Sequence, residues 1–194
     1  MTKLPQLGAG RYRLGPRLGA GAQGEVRRAL DLATGAEVAI KIAEPGASAA
    51  DLETEFLTAT ALEHPAWPTA LDLLPGERPA LVLELVAGRS PSGAKLPAES
   101  VSRLALRLLL ALRALHHRGL LHGDLKPENL LLPEGPPLPA AASARLLDLG
   151  LARSFHRADG RTLSGTPAYL APEARAGGEL DERADLYSLG LTLA

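Results

Sequence analysis

Hydrophobic patterning changes once along the chain, near Glu84, and that change sets the fold class. Before it the apolar runs are short: RYRLGPRLG, GEVRRAL, EVAIKIA, LDLLP and ALVLEL, separated by turns containing Gly, Pro or Asp. Runs of this kind predict the strands of a small, mostly antiparallel sheet. One helix interrupts them, in ASAADLETEFLTATALEH, where Leu52, Phe56, Ala59 and Leu62 recur at helical spacing and Pro65 marks the end. After GRSPSGAKLP the pattern turns helical. In PAESVSRLALRLLLALRALHHRG, Leu104, Leu108, Leu112 and Leu115 form a stripe, Arg103 and Arg107 face elsewhere, and Gly119 supplies the stop. The expectation is an α+β fold of two lobes with a ligand cleft between them. An N-terminal extension covers residues 1–10, a sheet-rich small lobe 11–86, and a helix-rich large lobe 87–194.

The 46% hydrophobic content is ample for a core in 194 residues. With 21 basic against 22 acidic residues the net charge is −1, so nothing draws the chain in bulk to nucleic acid or to an anionic membrane. Any anion binding must be local. There is no cysteine, hence no disulfide and no thiolate metal site, which suits a reducing cytosol and a cytoplasmic location. The stretch MTKLPQLGAG lacks the apolar core of a signal peptide. The most apolar internal stretch, Val101 to Leu115, is broken by Arg103, Arg107 and Arg113, so no membrane span is expected.

Three groups of residues carry chemistry. Gly19, Gly21 and Gly24 in LGAGAQGEV sit between two predicted strands; without a Cβ the backbone there can approach phosphate oxygens, although a glycine-rich hairpin is also an ordinary turn. Their position before a strand argues against a dinucleotide fold, where such a loop opens a helix. Lys41 ends the apolar strand VAIK, and Glu55 on the following helix is placed to meet it. A buried ammonium needs such a carboxylate, and once held it can grip phosphates, whereas a lone strand-end lysine would only snorkel to solvent. In HGDLKPENL, Asp124 and Asn129 must lie on a loop, because Pro127 forbids a regular helix interior; LLDLG places Asp148 on a second acidic loop. Alone, Asp124 and Asn129 would read as turn caps. Together these residues offer one carboxylate to accept a hydroxyl proton and a carboxylate-plus-amide pair to hold a hard cation.

In this order the motifs resemble those of the protein kinase family, serine/threonine type, and bacterial members in particular, from about Tyr12 to the C-terminus. The resemblance implies an ATP- and Mg²⁺-dependent enzyme that phosphorylates protein Ser/Thr hydroxyls, or alternatively a catalytically weak ATP-binding or scaffolding module. It makes Gly19, Gly21 and Gly24 the lid over the phosphates. Leu18, Val26, Ala39 and Leu131 then belong to the nucleotide site, with the last three around the adenine, and the backbone of Glu84 and Val86 reads its edge beside Leu83 as gatekeeper. Lys41 becomes the ligand of the α- and β-phosphates with Glu55 as its partner. Asp124 becomes the catalytic base, Lys126 the cation near the transferred group, and Asn129 and Asp148 the magnesium ligands. GTPAYLAPE closes the activation segment at Glu173, with Thr166 bonded to Asp124 and Lys126, and Lys126 and Thr166 together favour Ser/Thr over Tyr as acceptor.

Four departures from the family pattern carry expectations. Gly123 stands where many kinases have the arginine that binds an activation-loop phosphate. Leu149 replaces the usual Phe of the magnesium loop, and the connection from Gly88 to Leu96 is too short and Pro/Ser/Gly-rich for the small helix that usually follows. The sequence stops inside the helix that begins near Asp185, a residue expected to bond the catalytic-loop backbone. This leaves Glu173 without its usual arginine and Leu186, Leu189, Leu191 and Leu193 with little to cover them, so the isolated chain is expected to associate and to be inactive.

Overall fold

The computed structural model of the chain describes residues 6–21, 24–46, 48–62, 64–149, 153–154 and 165–194. They fall into two compact units, Met1–Ala61 with Pro68–Val86, and Leu62–Trp67 with Ala87–Ala194.

The first unit is a six-stranded antiparallel sheet with one helix. Its elements are β1 (Gln6–Leu7), β2 (Tyr12–Gly21), β3 (Gly24–Asp31), β4 (Glu37–Ala43), α1 (Ala49–Ala61), β5 (Ala70–Leu74) and β6 (Ala80–Glu84), in sheet order β1-β2-β3-β4-β6-β5. Alternation along β4 divides its two faces. Val38, Ile40 and Ile42 join Tyr12, Leu14, Ala29, Ala80 and Val82 in one core. Ala43, from the opposite alternation, packs with Leu52 of α1 and Leu81 of β6. Each fully buried Val or Ile contributes roughly 1.5–3 kcal/mol. The β3–β4 turn is fixed by Asp31, whose carboxylate accepts from Ala33 N, Thr34 Oγ1 and two nitrogens of Arg11. The Arg11 guanidinium holds that carboxyl well below the usual carboxylate range. Helix α1 ends at Ala61, so Leu62, expected on its stripe, is buried beyond it as part of the second unit.

Gly24 is glycine for a reason of sheet packing as well as of hairpin shape. Its φ is +135°, and a Cβ there would collide with the backbone carbonyl oxygen of Ile42, whereas a Cβ at Gly19 or Gly21 meets nothing within 4 Å. Gly24→Ala should therefore lower stability by about 3 kcal/mol, with Gly19→Ala and Gly21→Ala within about 0.5 kcal/mol of wild type. Denaturant unfolding of the three variants separates the roles.

The second unit is built on α2 (Ala98–His116), β7 (Leu120–Leu121), β8 (Leu130–Leu131), α3 (Pro137–Ala142), β9 (Arg145–Leu146), β10 (Arg153–Ser154), α4 (Pro172–Arg175) and α5 (Glu182–Leu193). Strand β7 pairs with β10 and β8 with β9, both antiparallel. The predicted stripe is the buried face of α2: Leu104, Leu108, Leu112 and Leu115 are all at most 1% exposed. Gly119, at φ +70°, turns the chain after it. Arg107, expected to face elsewhere, is half-buried at the edge of the stripe, and its guanidinium donates to the carbonyls of Ala144 and Pro65. No helix lies between Val86 and Ala98; that stretch carries a bridge from Arg89 to Leu132, and Ser90 Oγ donates to Pro127 O. On α5, Leu186, Tyr187 and Leu191 are exposed, but Leu189, expected on the same surface, is buried. No described helix is long and apolar enough to cross a membrane.

Candidate active site

In the first unit, Lys41 Nζ lies 2.8 and 3.1 Å from the two carboxylate oxygens of Glu55, and both side chains are buried. Lys41 is held there by strand pairing on both sides, opposite Val26 on β3 and Leu81 on β6. Ala39, two residues earlier and so on the same face, pairs with Arg28 and Leu83. Leu18 is exposed near the end of β2, where Gly19 and Gly21 leave open space. Residues 22 and 23, between β2 and β3, are outside the described residues. Glu84 N donates to Thr69 O, and the Glu84 carboxylate accepts from Thr69 N and Oγ1, which fixes the end of β6 just before Val86.

In the second unit, Asp124, Lys126, Asn129 and Thr166 form one bonded cluster. Thr166 donates to Asp124 Oδ1 through both its N and Oγ1, each at 2.9 Å. Lys126 Nζ lies 2.6 Å from Asp124 Oδ2 and 2.8 Å from Thr166 Oγ1. Asn129 Nδ2 donates to Asp124 O at 2.8 Å and to Asp124 Oδ2 at 3.1 Å. Local sequence explains the shape: Pro127 opens a single 3-10 turn, Pro127–Asn129, which carries Asn129 back over Asp124 before β8 begins. Leu131 lies on β8. Asp148 follows β9 at φ +64°, a left-handed conformation that short polar side chains tolerate, and Leu149 beside it is buried.

Asp185, in the first turn of α5, anchors this loop. Its carboxylate accepts from His122 N at 2.8 Å, Gly123 N at 3.0 Å and His116 Nε2 at 2.8 Å. Burial would push the carboxyl up, but the bond from His116 and those from the amides of His122 and Gly123 outweigh it and hold it below the ordinary value. A depressed folded pKa means the anchor stabilises fully above the unfolded value, about 3.9, and is lost as pH falls through the folded one. Asp185→Asn should cost about 2–4 kcal/mol at pH 7, because an amide NH₂ then faces backbone donors. Thermal melts of both proteins from pH 7 to pH 3 should show the gap narrowing only in the acid limb.

Two residues of this region escaped sequence reasoning. His116 reaches Asp185 across 69 positions. Trp67 stacks on His122. Neither shows in local periodicity; a histidine just inside the end of α2 and a tryptophan before a proline were the only signals.

The donor set fits Mg²⁺. Both bonds of the Asn129 side chain to Asp124 engage its nitrogen, so the hard amide oxygen is the ligand atom it offers alongside the Asp148 carboxylate. Among the described residues no three His, Cys, Asp or Glu side chains gather into a closed metal cage.

The protein kinase domain family model matches residues 12–194. The chain is 36% identical over 199 residues to the serine/threonine-protein kinase pkn2 of Myxococcus xanthus, covering 94% of this chain and 24% of that protein. It is 36% identical to the DNA damage-responsive serine/threonine-protein kinase RqkA of Deinococcus radiodurans, covering 95% of this chain and 29% of the relative. To the serine/threonine-protein kinase PknB of Mycobacterium leprae it is 30% identical, over 100% of this chain and 33% of the relative. The chain thus spans about a quarter to a third of the length of these relatives. A curled antiparallel sheet with one helix, followed by a helical unit bearing this polar cluster, defines the α+β protein-kinase fold class. The chain belongs to the protein kinase family, and its named bacterial relatives are of the serine/threonine type.

Proposed function

We propose that the protein transfers the γ-phosphoryl group of ATP, with Mg²⁺, to serine and threonine hydroxyls of protein substrates in the cytoplasm. The observation that carries this reading is the Asp124 carboxylate held by Lys126, Asn129 and Thr166. A carboxylate offers about four acceptor sites, and four donors fill them here. For Asp124 to meet a substrate hydroxyl, one donor must yield. Lys126, a point charge on a flexible stem, is the one that can swing toward phosphoryl oxygens. The substrate oxygen then bonds to the γ-phosphorus, the bond from phosphorus to the leaving ADP oxygen breaks, and the hydroxyl proton passes to Asp124. Mg²⁺, when bound, neutralises charge on the phosphate oxygens, and Asn129 and Asp148 hold it. Lys41, oriented by Glu55, binds the α- and β-phosphates beneath Gly19, Gly21 and Gly24. We assign Val26 and Ala39 of the first unit and Leu131 of the second to the adenine, Leu18 to the nucleotide site, and the backbone of Glu84 and Val86 to the edge of the base. The cysteine-free composition suits a reducing cytoplasm.

The test is transfer of label from γ-labelled ATP to a generic basic protein by the intact protein, followed by phosphoamino-acid analysis. Label on serine or threonine supports the reading, and label on tyrosine or none contradicts it.

Control follows from Gly123, which supplies no guanidinium for a loop phosphate. The stretch RSFHRADGRTLSGTPAYL offers Ser154, Thr162 and Ser164 as candidate phosphosites and Arg153, Arg157 and Arg161 as substitute cations; Thr162 and Ser164 lie outside the described residues, as do the side chain of Ser154 and those of the three arginines. Alanine at Ser154, Thr162 and Ser164 together should change kcat/KM by less than about tenfold. A larger loss, seen as a phosphorylation-dependent rate in the unmutated protein only, would show that one of those arginines has taken the role.

A further inference from the structure

The His122 ring holds together the two loops on which the proposed chemistry depends. Its Nδ1 accepts from Asp124 N at 3.2 Å and its Nε2 meets Leu147 O at 3.1 Å. A backbone N–H can only donate and a carbonyl can only accept, so the ring is the tautomer with hydrogen on Nε2. One ring thereby fixes the backbone of Asp124 and the residue before Asp148. That linkage survives only in one ring orientation, because turning the imidazole about Cβ–Cγ presents C–H edges to both partners.

Trp67 lies against that ring. The two centroids are 5.8 Å apart with planes inclined by 25°, and both residues are buried. The segment carrying the indole is tied down: Leu146 N donates to Ala66 O, Arg145 to Trp67 O and Arg107 to Pro65 O. The indole itself is an unfavourable choice for a core filler. Its Nε1 is buried and meets no hydrogen-bond partner among the described residues, a penalty that phenylalanine or leucine would avoid. What tryptophan supplies in return is a broad flat face for the imidazole.

We propose that Trp67 is a positioning residue: its ring face blocks rotation of the His122 imidazole and so fixes the spacing between Asp124 and Asp148. This rests on the reading of those two residues given above. Trp67→Leu keeps apolar bulk without the flat face, and Trp67→Phe keeps a flat face without the orphaned N–H. In the intact protein, Trp67→Leu should speed amide exchange in the segment His122–Leu125 by about tenfold while leaving α2 unchanged. It should lower kcat about tenfold with KM for ATP within about threefold, and Trp67→Phe should restore both to within about threefold of wild type. Should Trp67→Leu not fold, Trp67→Met carries the same expectations.

A space-filling residue behaves otherwise. Exchange that rises across α2 as well or does not rise at all, unchanged kcat per folded molecule, or a phenylalanine variant as impaired as the leucine one would each overturn the proposal. If the unmutated protein transfers no phosphoryl group, the proposed function falls, and the exchange measurement alone still decides whether Trp67 holds the loop.

Discussion

Asp124→Asn in the intact protein should slow phosphoryl transfer by roughly three orders of magnitude while ATP affinity stays within a few-fold. The amide cannot take the hydroxyl proton. It also turns an NH₂ toward donors, since one carboxylate oxygen faces Thr166 N and Oγ1 and the other faces Lys126 Nζ and Asn129 Nδ2. Neither change touches the residues proposed to bind the adenine or the α- and β-phosphates, so the loss belongs in kcat. Rate and nucleotide titration on one preparation check this. A near wild-type rate would remove Asp124 from the mechanism.

Lys41→Met should abolish activity and destabilise the first unit together. The ammonium lies in a buried pair with Glu55, and removing one partner of such a pair costs about 3–5 kcal/mol because the other charge remains desolvated. The two effects can be separated. Lys41→Met with Glu55→Leu should recover most of the lost stability without recovering transfer, since only the ammonium can grip phosphates. Recovery of activity in the double variant would mean that Lys41 serves folding alone.

Most of the fold is written in local pattern. The alternation Val38, Ile40, Ile42 defines a strand and its buried face, and the leucines of α2 define a helix and its stripe; both signals come from residues that neighbour each other in sequence. The polar cluster was legible for the same reason, as Asp124, Lys126 and Asn129 lie within one short loop and only Thr166 arrives from afar. Leu62 misled because its spacing continues the α1 stripe after the helix has ended. Leu189 was hidden because burial of α5 depends on which elements pack against it, and Gly24 because its constraint comes from the carbonyl of Ile42 on the adjacent strand. His116 and Trp67 act only through distant partners, Asp185 and His122, and no periodicity records such pairs.

The central claim is that bound ATP gives its γ-phosphoryl group to a protein hydroxyl rather than merely occupying a scaffold. Rapid-quench single turnover, with intact protein in excess over γ-labelled ATP, Mg²⁺ and a basic protein acceptor, measures that step directly. Label should pass to serine or threonine in one exponential phase, chelating Mg²⁺ should stop it, and Asp124→Asn should slow it about a thousandfold without releasing the nucleotide. ATP that binds and is recovered intact from the unmutated protein, with no label on the acceptor, would contradict it.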